Sequence, residues 1–498
     1  MLTSLQLKNF KPFESSGPIR LAPITLVYGP NSGGKSSLIQ SLLLLKQTLT
    51  PNGDSVLVTR GQQVDLGSYR SLIHRHDLAR RLEISANFDG CEFERVTGQP
   101  LGMMHPSPDF KRSVRLCYHW VGGDSDGFAA LDEVEYRLLN SDEEKLAVRL
   151  KRMRSSTAED DWEDPCTFEI CDDASSNSLS RYLLDCEHGR RDRLARRNPA
   201  PGALREPDMD FEMARDLISR VRILERNGLP FRIRPPRDQI ALYRQMRPFF
   251  EVLGSVSSEL ANLLHSLSYL GPLRSHPARH YVTVSSPHSS VGSEGENAPQ
   301  ILHRRAFAVK LVNQWFRSFE IPYELCIDRM GNEVTGSIIS IVLKDQRTQV
   351  AVASSDVGFG IGQLLPILVE GIVSFGKLLC VEQPEIHLHP RLQAHLADFF
   401  IGTTGLGEHA LPRQNGNRLG PTNQWIVETH SETLMLRLQR RIREKVIRPQ
   451  DVSVIYVDSG DSGSYATELR LDDHGGFIDE WPDGFFEEDV RELFGESL

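Results

Sequence analysis

Ile24-Thr25-Leu26-Val27-Tyr28-Gly29-Pro30-Asn31-Ser32-Gly33-Gly34-Lys35-Ser36-Ser37 is the stretch that decides how the chain is read. Gly29, Gly34, Lys35 and Ser36 occupy the fixed positions of the phosphate-binding loop G-x-x-x-x-G-K-[ST]. Ile24 to Tyr28 is a short apolar run that predicts a buried strand, and Ser36 to Leu45 predicts a strongly apolar helix. Strand, glycine loop and helix is the arrangement the chemistry requires. Backbone N–H groups at a helix N-terminus converge on an anion, and glycine lets the chain wrap close to it. Gly29, Pro30, Asn31, Ser32, Gly33, Gly34, Lys35, Ser36 and Ser37 are therefore the expected nucleoside triphosphate site. Lys35 would reach the β- and γ-phosphates, and the Ser36 hydroxyl would ligate Mg²⁺.

Composition narrows the class. The 498 residues are 39% hydrophobic and 25% charged, as in an ordinary globular protein of two or three domain-sized parts. No apolar run approaches a membrane span, and the start, MLTSLQLKNF, lacks the features of a signal peptide, so a cytoplasmic location is expected. Seven scattered cysteines suggest no disulfide framework, and Cys166, Cys171, Cys186 and His188 match no common zinc spacing. A net charge of −10 argues against a surface coated for duplex DNA. Two basic stretches, His188 to Arg197 and Arg232 to Arg237, could still touch DNA or RNA, although such runs are usually solvated faces.

Outward from the loop, Met1 to Asn9 predicts a first strand, and Leu57–Tyr69 and Arg81–Phe88 predict two more. Between Cys91 and Met153 the period changes to two. Val114, Leu116, Tyr118 and Trp120 share a face, as do Val134, Tyr136 and Leu138, and Leu146, Val148 and Leu150, which predicts an antiparallel meander. Phe211 to Leu267 has helical periodicity, interrupted at Gly228–Pro236. A helix is expected over Pro299–Phe319 and a strand over Ser337–Leu343. The chain thus reads as three parts: 1–90 with the phosphate loop, an insertion at 91–265 that would contact partners, and 266–498 with the remaining motifs.

Those motifs lie in the second half. Leu378-Leu379-Cys380-Val381-Glu382 is an apolar run ending in an acid, as in a buried parallel strand whose C-terminal end faces a nucleotide; Glu382 there can hold the Mg²⁺ set by Ser36. Upstream, Gly358, Gly360, Gly362 and Gln363 precede an apolar helix from Leu364, either a second anion site or a plain glycine-rich turn. Downstream, Trp425 to Glu428 predicts a strand leading into His430, a candidate γ-phosphate contact.

The ordered motifs resemble the ABC-type ATPase heads shared by the RecF, SMC and OLD (overcoming lysogenization defect) families, with the OLD-like ATPases most similar. The resemblance rests on LQLKNFKPF, GPNSGGKSSLIQSLLLL, VGFGIGQLLPIL, LLCVEQPEIHLHP, IVETHSE and the tail WPDGFF (Trp481–Phe486), and covers about Met1–Asp77 and Tyr269 to the C-terminus. It implies an α/β fold, a P-loop NTPase of the ABC-ATPase-head type with an inserted β-meander and helical region. It further implies that Gly29–Ser37 is the Walker A loop, Glu382 the Walker B acid and His430 the switch histidine. Gly358, Gly360, Gly362 and Gln363 would be the signature that contacts ATP bound to a second subunit, making a head-to-tail dimer or higher homo-oligomer. Two departures stand out. Gln383 follows the Walker B acid where such heads place a catalytic Glu, so hydrolysis would be slow or fall to Glu385. The stretch after His430 is too short for a TOPRIM nuclease domain, so no nuclease is expected in this chain. The resemblance thus implies an ATPase subunit of a bacterial antiphage defence system, with ATP and Mg²⁺ as cofactors, sensing nucleic acid and governing a separate nuclease or toxin. The alternatives are a nucleotide-gated scaffold with little turnover and a RecF-like DNA repair ATPase.

Overall fold

A computed structural model describes residues 1–49, 56–90, 110–123, 127–140, 143–152, 167–171, 174–175, 177–182, 223–226, 229–233, 240–283, 287–332, 336–406 and 423–482. The chain divides into two compact units. One comprises Met1–Pro18, Gln40–His265 and Asp461–Ser464; the other comprises Ile19–Ile39, Ser266–Gly460 and Tyr465–Leu498.

In chain order the first strands are β1 (Leu2–Phe10), β2 (Phe13–Arg20), β3 (Ile24–Tyr28), β4 (Leu82–Asp89), β5 (Phe110–Val121), β6 (Phe128–Asn140), β7 (Glu143–Arg152), β8 (Thr167–Ile170), β9 (Ile223–Arg226) and β10 (Leu229–Ile233). All but β3 form one sheet, in the order β10-β9-β8-β7-β6-β5-β4-β1-β2. Its period-two patterning is that of a sheet covered on one face. Leu82, Ile84, Ala86 and Phe88 of β4 are buried, as are Val114, Leu116, Val134, Tyr136, Leu138, Leu146, Val148 and Leu150. The opposite face is polar: Arg115 of β5 pairs with Glu135 at 2.8 Å and with Glu133 at 2.5 Å. A helix, Ile240–Ser266, belongs with this sheet. Phe249, Val252, Leu253, Val256, Leu260 and Leu264 fall at helical spacing and are buried, and Ser257 hydrogen-bonds to Tyr136 of β6 at 2.9 Å.

Two expectations for this unit are corrected. Leu57–Tyr69 is not a strand; it makes only single bridges, Val56 to Ala130 and Arg60 to Asp65. The Leu57 N–H donates to the Ala129 carbonyl of β6 at 2.9 Å, and side chains add to this hold: Gln47 donates to the Val58 carbonyl at 2.6 Å, and Asp65 accepts from the Gly67 N–H at 2.9 Å. Within the Phe211–Leu267 stretch, Ile223–Arg226 and Leu229–Ile233 form the hairpin β9–β10 instead of helix, and Ile240–Ser266 is helical, while residues 211–222 lie outside the described residues. Cys166, Cys186, His188–Arg197 and Arg234–Arg237 lie outside the described residues.

The second unit holds β11 (Ser268–Leu270), β12 (Tyr281–Val282), β13 (Tyr323–Asn332), β14 (Gly336–Asp345), β15 (Ala351–Ala353), β16 (Leu378–Glu382), β17 (Gln424–Glu428) and β18 (Val452–Gly460), and β19 (Gly463–Glu468) begins at its border. A six-stranded sheet runs β11-β16-β17-β3-β18-β19, and its first five strands are parallel to their neighbours. Every residue of β3, β16 and β17 is buried, the near-continuous apolar pattern of parallel strands covered on both faces. Across the two units the helices are α1 (Lys35–Thr48), α2 (Tyr69–Leu72), α3 (Ile240–Ser266), α4 (Ala298–Arg304), α5 (Ala306–Ser318), α6 (Phe359–Val373), α7 (Pro390–Thr403) and α8 (Glu432–Arg443). The single helix expected over Pro299–Phe319 is two, because Arg305 leaves the helical region with φ −121° and ψ 82°. Trp425 of β17 anchors the core against Phe399 and Phe400 of α7, and its indole N–H donates to the Thr403 hydroxyl at 2.8 Å. Trp481 from the tail packs edge-on against Tyr28 and Tyr456. Asp483–Phe486 lie outside the described residues.

Candidate functional site

The candidate site lies at the C-terminal ends of β3, β16 and β17, all within the second unit. Leaving β3, the chain turns at Gly29 with φ 141°, where a Cβ would stand 1.9 Å from the Val457 carbonyl oxygen. Only glycine fits there. Gly34 also has positive φ, 107°, just before α1 begins at Lys35. Lys35 is 5% exposed, and its ammonium donates to the carbonyls of Gly29 at 2.9 Å and Pro30 at 2.7 Å. Burial pushes its pKa down, while the carboxylates of Glu428 and Glu385 oppose that shift. The loop thus surrounds a buried cation with backbone, beside the N-terminus of a 14-residue helix.

Strand order decides which acid meets this loop. β17 lies between β16 and β3, with Glu382 opposite Glu428 and Glu428 opposite Val27. The Ser36 hydroxyl consequently hydrogen-bonds to Glu428. Glu382 is one strand further away, accepting a hydrogen bond from the Tyr269 hydroxyl at 3.0 Å. Burial, then the neighbouring Glu428 charge, push the Glu382 pKa up to about 7. Burial raises Glu428 as well, countered by Ser36 and Lys35.

The turn after β16 completes the cluster. Gln383 adopts φ 44° and its N–H donates to the Glu428 carbonyl at 2.7 Å. Glu385 accepts from the His430 backbone N–H at 2.6 Å and from the Thr429 hydroxyl, and burial raises its pKa. His430 is half-buried, and both burial and the Lys35 charge lower its pKa, favouring the neutral imidazole. The guanidinium of Arg274 donates to the carbonyls of Glu382 at 2.8 Å and Gln383 at 3.4 Å. Glu382, Gln383, Glu385 and His430 are therefore brought together with Lys35 and Ser36. Glu428, Tyr269 and Arg274 join them, although the sequence alone suggests no role for these three. For Glu428 a signal exists, since Trp425-Ile426-Val427-Glu428 repeats the apolar-run-then-acid pattern of Leu378–Glu382.

These groups fit a divalent cation. Glu428 Oε2 and Glu385 Oε2 are buried with no hydrogen-bond partner among the described residues, and carboxylate and hydroxyl oxygens are hard donors. Among the described residues no three His, Cys, Asp or Glu side chains form a metal cage. One or two carboxylates and a hydroxyl suit Mg²⁺ that keeps waters and phosphate oxygens.

The glycine-rich stretch is built differently from its sequence expectation. Helix α6 starts at Phe359, not Leu364, with Gly358 as N-cap, so Gly360 and Gly362 lie inside the helix. They are close-packing glycines: a Cβ would stand 2.8 Å from the His387 carbonyl oxygen at Gly360 and 2.7 Å from Pro277 at Gly362. Gln363 is 1% exposed and turned inward, its amide donating to the Arg274 carbonyl at 3.5 Å.

Residues 310–435, a span that includes α6, β16, β17 and His430, match the family model described as AAA ATPase domain (AAA_15). Over that span, about a quarter of its length, the chain is similar to an ATPase domain. Residues 447–494 match a second model, described as Protein of unknown function (DUF3696). No curated protein matches the chain. Among solved structures, it is similar to the Smc head domain with an extended coiled coil, bound to the C-terminal domain of ScpA, from Pyrococcus furiosus, at 12% identity and a TM-score of 0.41, covering 99% of this chain and 98% of that one. The SMC head domain from Thermotoga maritima is similar at 10% identity and a TM-score of 0.36, covering 94% and 99%. With the phosphate loop on β3 and the parallel sheet around it, the fold is that of an α/β P-loop NTPase. No described helix is long and apolar enough to cross a membrane.

Proposed function

We propose that this protein binds MgATP between the Gly29–Ser37 loop and the acidic ends of β16 and β17, hydrolyses it slowly, and uses it to join two copies head to tail. The observation that carries the reading is the Ser36–Glu428 hydrogen bond beside buried Lys35, with Glu382 and Glu385 adjacent. Lys35 exchanges its loop carbonyls for phosphate oxygens, and the backbone N–H groups of the loop hold the anion. Ser36, Glu428 and Glu382 would hold Mg²⁺, which when bound neutralises charge on the phosphates. Glu385, a buried carboxylate with raised pKa, is the candidate proton acceptor, and Gln383 orients the attacking water. His430, kept neutral, faces the γ-phosphate as a hydrogen-bonding group. The exposed start of α6 at Gly358 is the part of the signature that reaches the second subunit's ATP.

The OLD-like order of motifs and the WPDGFF tail, which the second family match spans, favour an ATPase subunit of a cytoplasmic antiphage system. In that setting it senses DNA or RNA and controls a separate nuclease or toxin. A RecF-like repair role predicts the same DNA-responsive turnover without such an effector, and co-purification with a toxic neighbour separates them. Gln383 favours a second reading, a clamp in which bound ATP holds the assembly with little turnover. Substituting Gln383→Glu tests the choice. A gain of about tenfold or more in turnover, within the range of a restored general base, supports the hydrolytic reading. Tight ATP binding with negligible turnover in both forms, at every protein concentration and with DNA, supports the clamp.

A further inference from the structure

The stretch Tyr269-Leu270-Gly271-Pro272-Leu273-Arg274, which leaves β11 beside the site, has no step of its own in the function proposed above. Tyr269 holds Glu382, but Arg274 does something else. It is 5% exposed, and its side-chain hydrogen bonds go to two successive backbone carbonyls, Glu382 and Gln383, not to a carboxylate. Its Nε has no hydrogen-bond partner among the described residues. A buried guanidinium is costly to desolvate, and the charges of Glu385 and Glu382 offset part of that cost while its hydrogen bonds go to backbone carbonyls. What this geometry does achieve is a mechanical link. From the same residue the main-chain carbonyl accepts from Gln363 at 3.5 Å, so one residue joins the turn after β16 to α6.

Neighbouring contacts leave little slack in that link. Gly362 is flush against Pro277, three residues beyond Arg274, and Gly360 is flush against His387 in the turn after Glu385. The Ser275 N–H donates to the Glu294 carbonyl at 2.9 Å, and the Val291 N–H donates to buried Glu370 of α6 at 2.7 Å, so the adjoining loop is also tied to the helix. Tightly packed groups of this kind shift together instead of deforming one at a time.

We propose that Arg274 is a positioning residue that couples the acidic turn Glu382–Glu385 to helix α6. Occupation of the nucleotide site moves the turn, the planar fork of Arg274 carries that displacement, and Gln363 delivers it to the start of α6. The inference rests on the ATP reading above and adds the route by which one site reports to the other. Lysine cannot take over the role. Its single ammonium lacks the rigid fork that bridges two successive carbonyls.

The test compares wild type, Arg274→Lys, Gln363→Leu and the double variant by three measurements: MgATP affinity, steady-state turnover, and hydrogen exchange of residues 358–366 with and without MgATP. In wild type, MgATP is expected to change exchange both in the Gly29–Ser37 loop and over 358–366. In Arg274→Lys, ATP affinity stays within about threefold and the loop still responds. The response over 358–366 disappears and turnover falls about tenfold, within the range of a coupling residue. Gln363→Leu reproduces this pattern, and the double variant is no worse than either single one, as expected for two joints of one link. A merely structural Arg274 would lower melting temperature and ATP affinity together and leave the two variants additive; that result overturns the inference. So does a wild type that binds MgATP without any change over 358–366, which leaves the ATP site itself standing. A wild type that does not bind MgATP sinks the functional reading and the coupling with it.

Discussion

The two large sheets place their charges in opposite ways. In the nine-stranded antiparallel sheet, charge is spread along one face, where Arg115 meets Glu133 and Glu135 and sits 3.5 Å from Glu83. In the parallel sheet, β3, β16 and β17 are buried throughout, and the carboxylates Glu382 and Glu428 occur only as the last residues of their strands. The physical reason is burial on both faces, which makes a charge tolerable only where the strand ends. The charges of the two sheets therefore serve different ends. A solvated ion pair contributes little, whereas a buried carboxylate at a strand end is held against a cost, and its pKa reports that cost.

The sharpest way to break the comparison is at the loop. Lys35→Ala removes the cation buried among the loop carbonyls, and MgATP affinity is expected to fall by roughly 100-fold, as when a charge-assisted contact to phosphate is lost. Equilibrium binding of ATP checks it; affinity within a factor of two of wild type would disconnect the loop from the nucleotide.

A stability measurement probes the acid end. Glu382 titrates at about 7 in the folded protein, above its ordinary value of 4.5. A raised carboxyl pKa means the fold favours the protonated form, so the contribution of Glu382 to stability is greatest below about pH 4.5 and declines as pH rises towards 7. Glu382→Gln removes that penalty while keeping an acceptor for the Tyr269 hydroxyl. The nucleotide-free variant is therefore expected to be more stable than wild type at pH 8, by on the order of 1–3 kcal/mol, and not at pH 4.5. Thermal or urea unfolding at the two pH values measures this. Equal stability at pH 8 would mean that Glu382 is no more strained than a surface acid.

The smallest effect belongs to the polar face. Arg115→Ala removes one cation from a network in which Arg137 still pairs with buried Glu135 and Arg149 with Glu133, and a loss of about 1 kcal/mol is expected with no change in ATP affinity. A much larger loss would mean that the remaining arginines do not compensate, and an altered affinity would tie that face to the nucleotide.

The same contrast explains what the sequence disclosed. The phosphate loop is a local pattern: spacing, the flanking strand and the flanking helix all lie within about two dozen residues, so it could be read outright. The ends of β16 and β17 were visible as apolar runs closed by an acid. Which acid meets Ser36 was not, because the insertion of β17 between β16 and β3 is a matter of strand order that no local pattern encodes. Arg274 was hidden for a related reason, since the acids whose charge it feels, Glu382 and Glu385, lie more than a hundred positions along the chain. Gly360 and Gly362 look like loop residues until His387 and Pro277 are seen against them, when they become the residues that let α6 start early. In the other unit, alternation marked the meander well. The strand expected over Leu57–Tyr69 is absent: one backbone bond to β6 at Leu57, internal turns and the side chains of Gln47 and Asp65 satisfy its backbone.

On the proposed function, Glu428 serves a MgATP site through Ser36. Steady-state ATP turnover by wild type and Glu428→Gln, across a range of protein and Mg²⁺ concentrations, decides whether it does. Wild-type turnover is expected to rise with protein concentration, and the variant to lose roughly 10- to 100-fold with a higher Mg²⁺ requirement, as when a group holding a metal site is removed. Equal turnover and equal Mg²⁺ dependence in the two proteins would contradict it.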